Sequence, residues 1–265
     1  MPKMDLYFIG KNNIMAVVFD LYNHGFSALP NRPLIFDCGC GIGTYAYNLL
    51  SKARYVGLDV NLSSIKLAHK NHPEGMFIIG DAGKLPFKSN AFDGIICSEV
   101  LEHIVDDEAV LRELARVTRP NAKLIVTVPN LLCKDGFVKL QRSLIDVPVG
   151  HYREGYSASE ISKLLVDLGF DLQQVKYNCG PFTAIVEYAA IKTARRFGYD
   201  ASNRDELLID KPPITVRIAL GIYRLLFPLI ILFTHLDKLV HCSRRSNIAI
   251  LAVRSRKNWE RGWCS

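Results

Sequence analysis

The sequence predicts an α/β fold, a doubly wound parallel sheet with helices on both faces, and three observations carry that expectation. Short runs of near-continuous Val, Ile and Leu recur along the chain without the apolar–polar alternation of a half-solvated strand, so they read as strands buried on both faces. Segments with helical spacing separate them, and a strand–helix–strand order demands crossover connections and therefore parallel pairing. The first run opens directly into a glycine-rich stretch, "LIFDCGCGIGTYAYNLL". Apolar residues make up 49% and charged residues 22% of 265, which supplies the core of one large domain.

Residues 1–32 hold "NNIMAVVFDLYNHGF", one short amphipathic helix ahead of the core. The core, 33–177, begins with strand runs at Leu34–Cys38, Tyr55–Asp59, Phe77–Gly80, Gly94–Ser98 and Leu124–Val128. In "DDEAVLRELARVTRP", Val110, Leu111, Leu114 and Val117 share one helical stripe, and Pro120 is expected to close it. In "SASEISKLLVDLGF", Ser157 and Glu160 fit a capping box. Ile161, Leu164, Leu165 and Leu168 form the apolar face, and Gly169 ends the helix. "DLQQVKY" reads as a sixth strand and "SNIAILAVRSRK", in the closing segment 247–265, as the last. Residues 178–246 between them read as an insertion, because the last strand should return to the same sheet.

The net charge of +7 is unevenly spread. Residues 191–265 hold 14 Lys and Arg against 6 Asp and Glu, a balance of +8, which leaves −1 for residues 1–190. A basic tail behind a neutral core suits an anionic surface, or is simply a solvated face. Seven cysteines, an odd number without paired spacing, describe no disulfide framework, and Cys38 and Cys40 lie too close for an unstrained bridge. No Cys/His spacing indicates a metal. With no long apolar run at the N-terminus, the expectation is a reduced, cytoplasmic protein.

Glycines at 39, 41 and 43 remove Cβ atoms where a strand turns into a helix, so a ligand can approach the backbone there. Alone this pattern fits several nucleotide cofactors. Asp59 closes the next strand, twenty positions beyond Gly39, where a carboxylate can accept both hydroxyls of a ribose. Asp37, just ahead of the loop, would repel a pyrophosphate and favour a cationic cofactor. Asp81 follows the third strand run, on the edge where ligands of open α/β sheets collect. Each acid also has a local alternative: Asp37 as a cap for the loop, Asp59 as a cap for the following helix through the Asn61–Leu62 turn, and Asp81 as a turn residue.

Taken together, Asp37-x-Gly39-x-Gly41-x-Gly43, Asp59, Gly80-Asp81-Ala82 with Leu85-Pro86-Phe87, Phe92-Asp93 and Glu99-Val100-Leu101-Glu102-His103 resemble the class I S-adenosylmethionine-dependent methyltransferases, in the branch that methylates quinones and other small molecules. The likeness covers residues 33–177 and 247–257. It implies a Rossmann-like seven-stranded sheet whose antiparallel last strand inserts between strands five and six. It further implies that Asp37, Gly39, Cys40, Gly41 and Gly43 surround the methionine moiety, that Asp59 with Val60 takes the ribose side, that Asp81 and Ala82 contact adenine, and that Ser98 and Glu99 line the methyl-transfer side.

Methyl transfer from a sulfonium is mainly a positioning task. A hydroxyl or carbon acceptor also needs a base. His103 is one candidate, or a residue that merely satisfies a helix start. His151, in "VGHYREGYS", is the other, and Tyr152 or Arg153 could bind acceptor instead.

"VRIALGIYRLLFPLIILFTHLDKLV" is apolar from Ile218 to Phe233 except for Arg224, with Pro228 in the middle. It is short for a spanning helix and carries a charge and a break. With Arg217, Lys238, Arg244 and Arg245 around it, residues 214–245 fit a membrane-interfacial helix pair, a lid or a dimer contact. The expected function is methyl transfer from S-adenosyl-L-methionine to a small hydrophobic or membrane-associated acceptor, at the inner face of a membrane. The alternatives are a nicotinamide-dependent oxidoreductase and a non-catalytic cofactor-binding module. Nucleic acid is not expected as substrate, because the core is not basic and "CSEV" stands where a base-methylation motif would follow strand four.

Overall fold

The computed structural model describes residues 17–23, 32–131, 152–178 and 247–256, with single positions at 192, 196, 221 and 232. Two compact units divide the chain: residues 17–129, 152–176 and 248–265, and residues 1–16, 130–151 and 177–247. The first holds the sheet apart from a few strand-end residues.

Seven strands form one sheet: β1 (Leu34–Cys38), β2 (Arg54–Asp59), β3 (Met76–Ile79), β4 (Phe92–Ser98), β5 (Thr118–Pro129), β6 (Phe170–Asn178) and β7 (Asn247–Arg254). Their order is β3-β2-β1-β4-β5-β7-β6. Strand β1 pairs in parallel with both β2 and β4, β2 with β3, and β4 with β5. The chain order reverses at β1/β4, which opens the crevice where such sheets bind ligands. Strand β7 is antiparallel: the Ser255 N–H just past its end donates to the carbonyl of Gly169, just before β6 begins.

Four helices are described with full bounds: α1 (Ala46–Leu49), α2 (Leu62–Asn71), α3 (Asp107–Val117) and α4 (Ala158–Asp167). Residues 17–23 are also helical, inside the segment expected to be so. Asp106 caps α3 by accepting from the Ala109 N–H at 2.9 Å, and the expected stripe of Val110, Leu111, Leu114 and Val117 is buried. Pro120 does not close α3. The helix stops at Val117, where Thr118 is already extended and its hydroxyl donates to the Leu114 carbonyl at 2.5 Å. Pro120 instead lies near the start of β5, beside the register shift against Phe92 and Gly94. A bulge of this kind tolerates a residue with no N–H to give. Ser157 caps α4 through the Glu160 N–H at 3.2 Å. The Glu160 carboxylate accepts from Arg153 at 2.8 Å, and Gly169 ends the helix at φ +82°.

Central strands β1, β2, β4 and β5 are buried almost throughout, as their composition predicts, while edge strand β3 is half exposed. Phe36, Phe87 and Phe92 pack with ring centroids 4.9–5.1 Å apart. Phe36 and Phe92 are fully buried, and burying each such ring contributes roughly 1.5–3 kcal/mol, while Phe87 is half-buried. Arg116 donates to the carbonyls of Phe87 (2.7 Å) and Leu85 (3.1 Å), and the Leu85 N–H donates to Glu113 at 2.7 Å. The Leu85-Pro86-Phe87 motif is thus an anchor for the loop that carries Asp81.

Candidate functional site

The site is built on the C-terminal ends of β1, β2, β3 and β4. Leaving β1, the chain turns back on itself, with Gly39, Gly41 and Gly43 at φ +74°, +53° and +81°. Only glycine takes these angles without strain. Gly39 also lies so near β4's exit that an added Cβ would stand 2.3 Å from Val100 Cγ2.

Four of the loop's N–H groups are taken up internally. Those of Gly39 and Cys40 donate to the Leu58 carbonyl at 2.8 and 3.0 Å, and that of Gly43 to Cys40 at 3.0 Å. The Gly41 N–H donates to Asp59 Oδ2 at 2.8 Å, while Asp59 Oδ1 accepts from the Asn61 N–H at 2.9 Å. The α2 cap is Asn61, which accepts from Ser64, so Asp59 does not cap that helix itself. A loop whose donors are spent on its own chain and on a carboxylate is poorly suited to a pyrophosphate.

Asp59 is the last residue of β2, and Val60 beside it is 81% exposed, an apolar side chain held out at the ligand edge. Asp81 stands two positions past β3 and accepts from the Gly83 N–H at 2.8 Å in a tight turn, with Ala82 buried. The Gly80 N–H donates to the Asp59 carbonyl at 3.1 Å, which ties the two acid-bearing ends together. Asp37 differs: it lies within β1, only 1% exposed, and the buried Tyr55 hydroxyl donates to it.

At the exit of β4, Ser98 is buried and Glu99 sits at φ +56°. A non-glycine residue in this region is held there by its surroundings and marks a candidate functional turn. Tyr45 donates to Ser98 at 2.9 Å, the Ser98 and Thr127 hydroxyls are 2.8 Å apart, and Thr127 donates to Glu99 Oε1 at 3.0 Å.

Sequence reasoning missed Tyr45, Tyr55 and Thr127. Thr127 carries a readable signal, a lone hydroxyl inside "LIVTV"; Tyr55 at the start of an apolar run carries none.

His103 ends a 3-10 turn, Leu101–His103, and its Nε2 lies 4.0 Å from Oε1 of the buried Glu102. The Glu102 carbonyl receives the Tyr152 N–H at 3.0 Å. Arg153 is committed elsewhere. Its guanidinium donates to Glu160, lies 3.5 Å from Asp107 and sits 4.6 Å over the Tyr156 ring. It is therefore a strut in this structure, whereas Tyr152 is 69% exposed. His151 and residues 214–245, apart from Gly221 and Leu232, lie outside the described residues.

Burial, helped by Asp37 and Asp59, pushes the Cys40 thiol far up, and a hydrogen bond with Cys38 together with burial does the same to Cys97. Neither is a thiolate nucleophile at neutral pH. Among the described residues no group of three or more His, Cys, Asp or Glu could hold a metal, and no helix is long and apolar enough to cross a membrane.

Residues 36–126 match the family model described as a methyltransferase domain. The demethylmenaquinone methyltransferase of Streptomyces griseus is 35% identical over 38% of this chain and 45% of its own length. The phthiotriol/phenolphthiotriol dimycocerosates methyltransferase 1 of Mycobacterium ulcerans is 37% identical over 36% of each chain. The chain thus spans less than half the length of these curated relatives. Among solved structures, the phosphoethanolamine N-methyltransferase 2 of Haemonchus contortus, in complex with S-adenosyl-L-methionine, shares the fold. Its TM-score is 0.58 at 16% identity, over 91% of this chain and 53% of that one. The domain match covers the glycine loop and most of the span from β1 to β5, so residues 36–126 are similar to a methyltransferase domain.

Proposed function

We propose that the protein transfers the methyl group of S-adenosyl-L-methionine to a small hydrophobic acceptor. The observation that carries this reading is the acidic ligand edge: Asp59, Asp81 and Glu99 stand at the ends of β2, β3 and β4, beside a glycine loop in which the N–H groups of Gly39, Cys40, Gly41 and Gly43 are already satisfied. Such an edge attracts a cationic nucleoside and repels a dinucleotide.

The residues fit the cofactor. Asp59 would exchange its bonds to Gly41 and Asn61 for the ribose hydroxyls, with Val60 as an apolar face beside them. Asp81 and Ala82 would meet the adenine. Gly39, Cys40, Gly41 and Gly43 would pack against the methionine moiety, with the charge of Asp37 behind them, and Ser98 and Glu99 would border the acceptor side.

The cofactor supplies a methyl group on a positively charged sulfur, a leaving group that needs no further activation. The protein's share is to align the acceptor atom behind that methyl and to exclude water. A hydroxyl or carbon acceptor must also lose a proton, and His103 and His151 are the candidates to receive it.

A hydrophobic acceptor is supported by the printed names of the Streptomyces and Mycobacterium relatives, which act on a menaquinone precursor and on phthiotriol dimycocerosates. The +8 balance of residues 191–265 supports contact with an anionic membrane surface through 214–245. That arm is tested by liposome flotation with and without residues 214–240; intact protein that stays with the soluble fraction at low salt overturns it.

The cofactor arm is tested by calorimetric titration with S-adenosylhomocysteine, with NADH and Asp59→Ala as controls. Micromolar binding that Asp59→Ala abolishes is the expected result. Binding of NADH without S-adenosylhomocysteine would overturn the reading.

A further inference from the structure

Four side chains from three segments form a hydrogen-bond chain at the methyl-transfer side of the sheet. Tyr45 leads from the glycine loop into α1, Ser98 ends β4 with Glu99 following it, and Thr127 lies within β5. The polarity of the chain follows from chemistry. An ionised carboxylate only accepts, so Thr127 commits its single hydroxyl proton to Glu99 Oε1 at 3.0 Å. Ser98 must then donate to Thr127 across 2.8 Å, and Tyr45 donates to Ser98 at 2.9 Å. Every proton runs toward Glu99, and the hydroxyl groups are all buried. A bond to a charged acceptor polarises those behind it, so the chain is stiffer than its separate links.

The backbone reinforces it. The Glu99 N–H donates to the Thr127 carbonyl at 3.0 Å, and Glu99 is kept at φ +56°, a conformation that an unrestrained glutamate leaves. The next residue, Val100, closes against Gly39 on the other side. The turn after β4 is therefore held from β5 by the chain and from the glycine loop by a steric wall.

We propose that Tyr45, Ser98 and Thr127 are positioning residues: they set the Glu99–Val100 turn against the glycine loop and so define the space for the amino-acid half of the sulfonium nucleoside. This rests on the methyltransferase reading above. It separates two halves of the ligand, because the ribose and adenine contacts assigned to Asp59, Val60 and Asp81 lie on β2 and β3, away from the chain.

The test is calorimetric titration of the whole protein with S-adenosylhomocysteine and with adenosine, in wild type, Thr127→Val, Thr127→Ser and Tyr45→Phe, with melting recorded for each. Thr127→Val and Tyr45→Phe should weaken S-adenosylhomocysteine about tenfold, the scale of one such bond, and leave adenosine unchanged. Thr127→Ser should restore binding. Tyr45→Phe keeps the ring and its edge contact with Phe19, centroids 5.8 Å apart, so it reports even where Thr127→Val does not fold. Equal losses for both ligands, or no loss for either, in variants of a wild type that binds, would overturn the proposal alone. A wild type that binds neither ligand would overturn the methyltransferase reading beneath it.

Discussion

The Tyr55 hydroxyl donates to the Asp37 carboxylate, one strand across from it, and the two are 3% and 1% exposed. The sheet thus holds an acid under the glycine loop that its own chain keeps from water. Burying a carboxylate is tolerated only with a donor of this kind. The cost is accepted where a negative potential serves the site, and here it lies beneath the loop proposed to take a sulfonium.

Tyr55→Phe should therefore be more damaging than its conservative chemistry suggests. The ring volume stays, but Asp37 loses a donor in a place water does not reach. The expected destabilisation is about 2–3 kcal/mol, read by urea unfolding. S-adenosylhomocysteine affinity should fall with it. Asp37→Asn with Tyr55→Phe should recover part of the stability without the affinity, since the charge is gone.

Stability should decline on the alkaline side. Burial, with Asp37, raises Tyr55 well above its ordinary value, and Cys40 and Cys97 are likewise raised. These groups keep their protons in the folded state at pH values where the unfolded chain has lost them. Their contribution is complete below the unfolded values, about 8.5 for cysteine and about 10 for tyrosine, and is lost as pH rises beyond them. Unfolding free energy should be level to about pH 8.5, then fall, and fall faster above about pH 10, by up to about 1.4 kcal/mol per pH unit for each group, with melting temperature following it down. Tyr55→Phe should flatten the steeper limb. An unchanged limb would assign the effect to other groups.

Gly39→Ala should lose both stability and ligand affinity, because φ +74° and the 2.3 Å approach to Val100 act together. Val100→Ala in the same chain removes the steric part and leaves the backbone part. The double variant should therefore recover some thermal stability, by about 1–2 kcal/mol, and still bind S-adenosylhomocysteine more weakly than wild type. Full recovery would make the contact, rather than the backbone angle, the reason for the glycine.

The strands were legible because each central one is a run of apolar residues buried on both faces, and such a run has few other homes. Glycines 39, 41 and 43 were legible as backbone permissions, and all three have positive φ. Asp59 and Asp81 were legible as strand-end acids, although their present partners, Gly41 and Gly83, were not. Pro120 misled because a proline near a helix end ordinarily stops it, whereas here Thr118 had already done so. Thr127 stands out as a lone hydroxyl, but its partners, like those of Tyr55 and Tyr45, were opaque for one reason. Their roles come from pairing across strands and loops, and a hydroxyl in an apolar run reveals its partner only when the register is known.

Arg153 carries the last prediction, since the sequence suggested it for acceptor binding and the structure occupies it with Glu160, Asp107 and Tyr156. As a strut it ties residues 152–157 to the starts of α3 and α4, beside the Tyr152 N–H that meets the Glu102 carbonyl. Its guanidinium is partly exposed, so solvent screens each ion pair, and the ring contact adds a comparable amount. Arg153→Ala should cost about 1–2 kcal/mol in unfolding free energy. Arg153→Lys should recover only part of that, because an ammonium cannot span two carboxylates and a ring as a planar fork does. Unfolding curves that superimpose for wild type and Arg153→Ala would remove the strut and return the side chain to the acceptor.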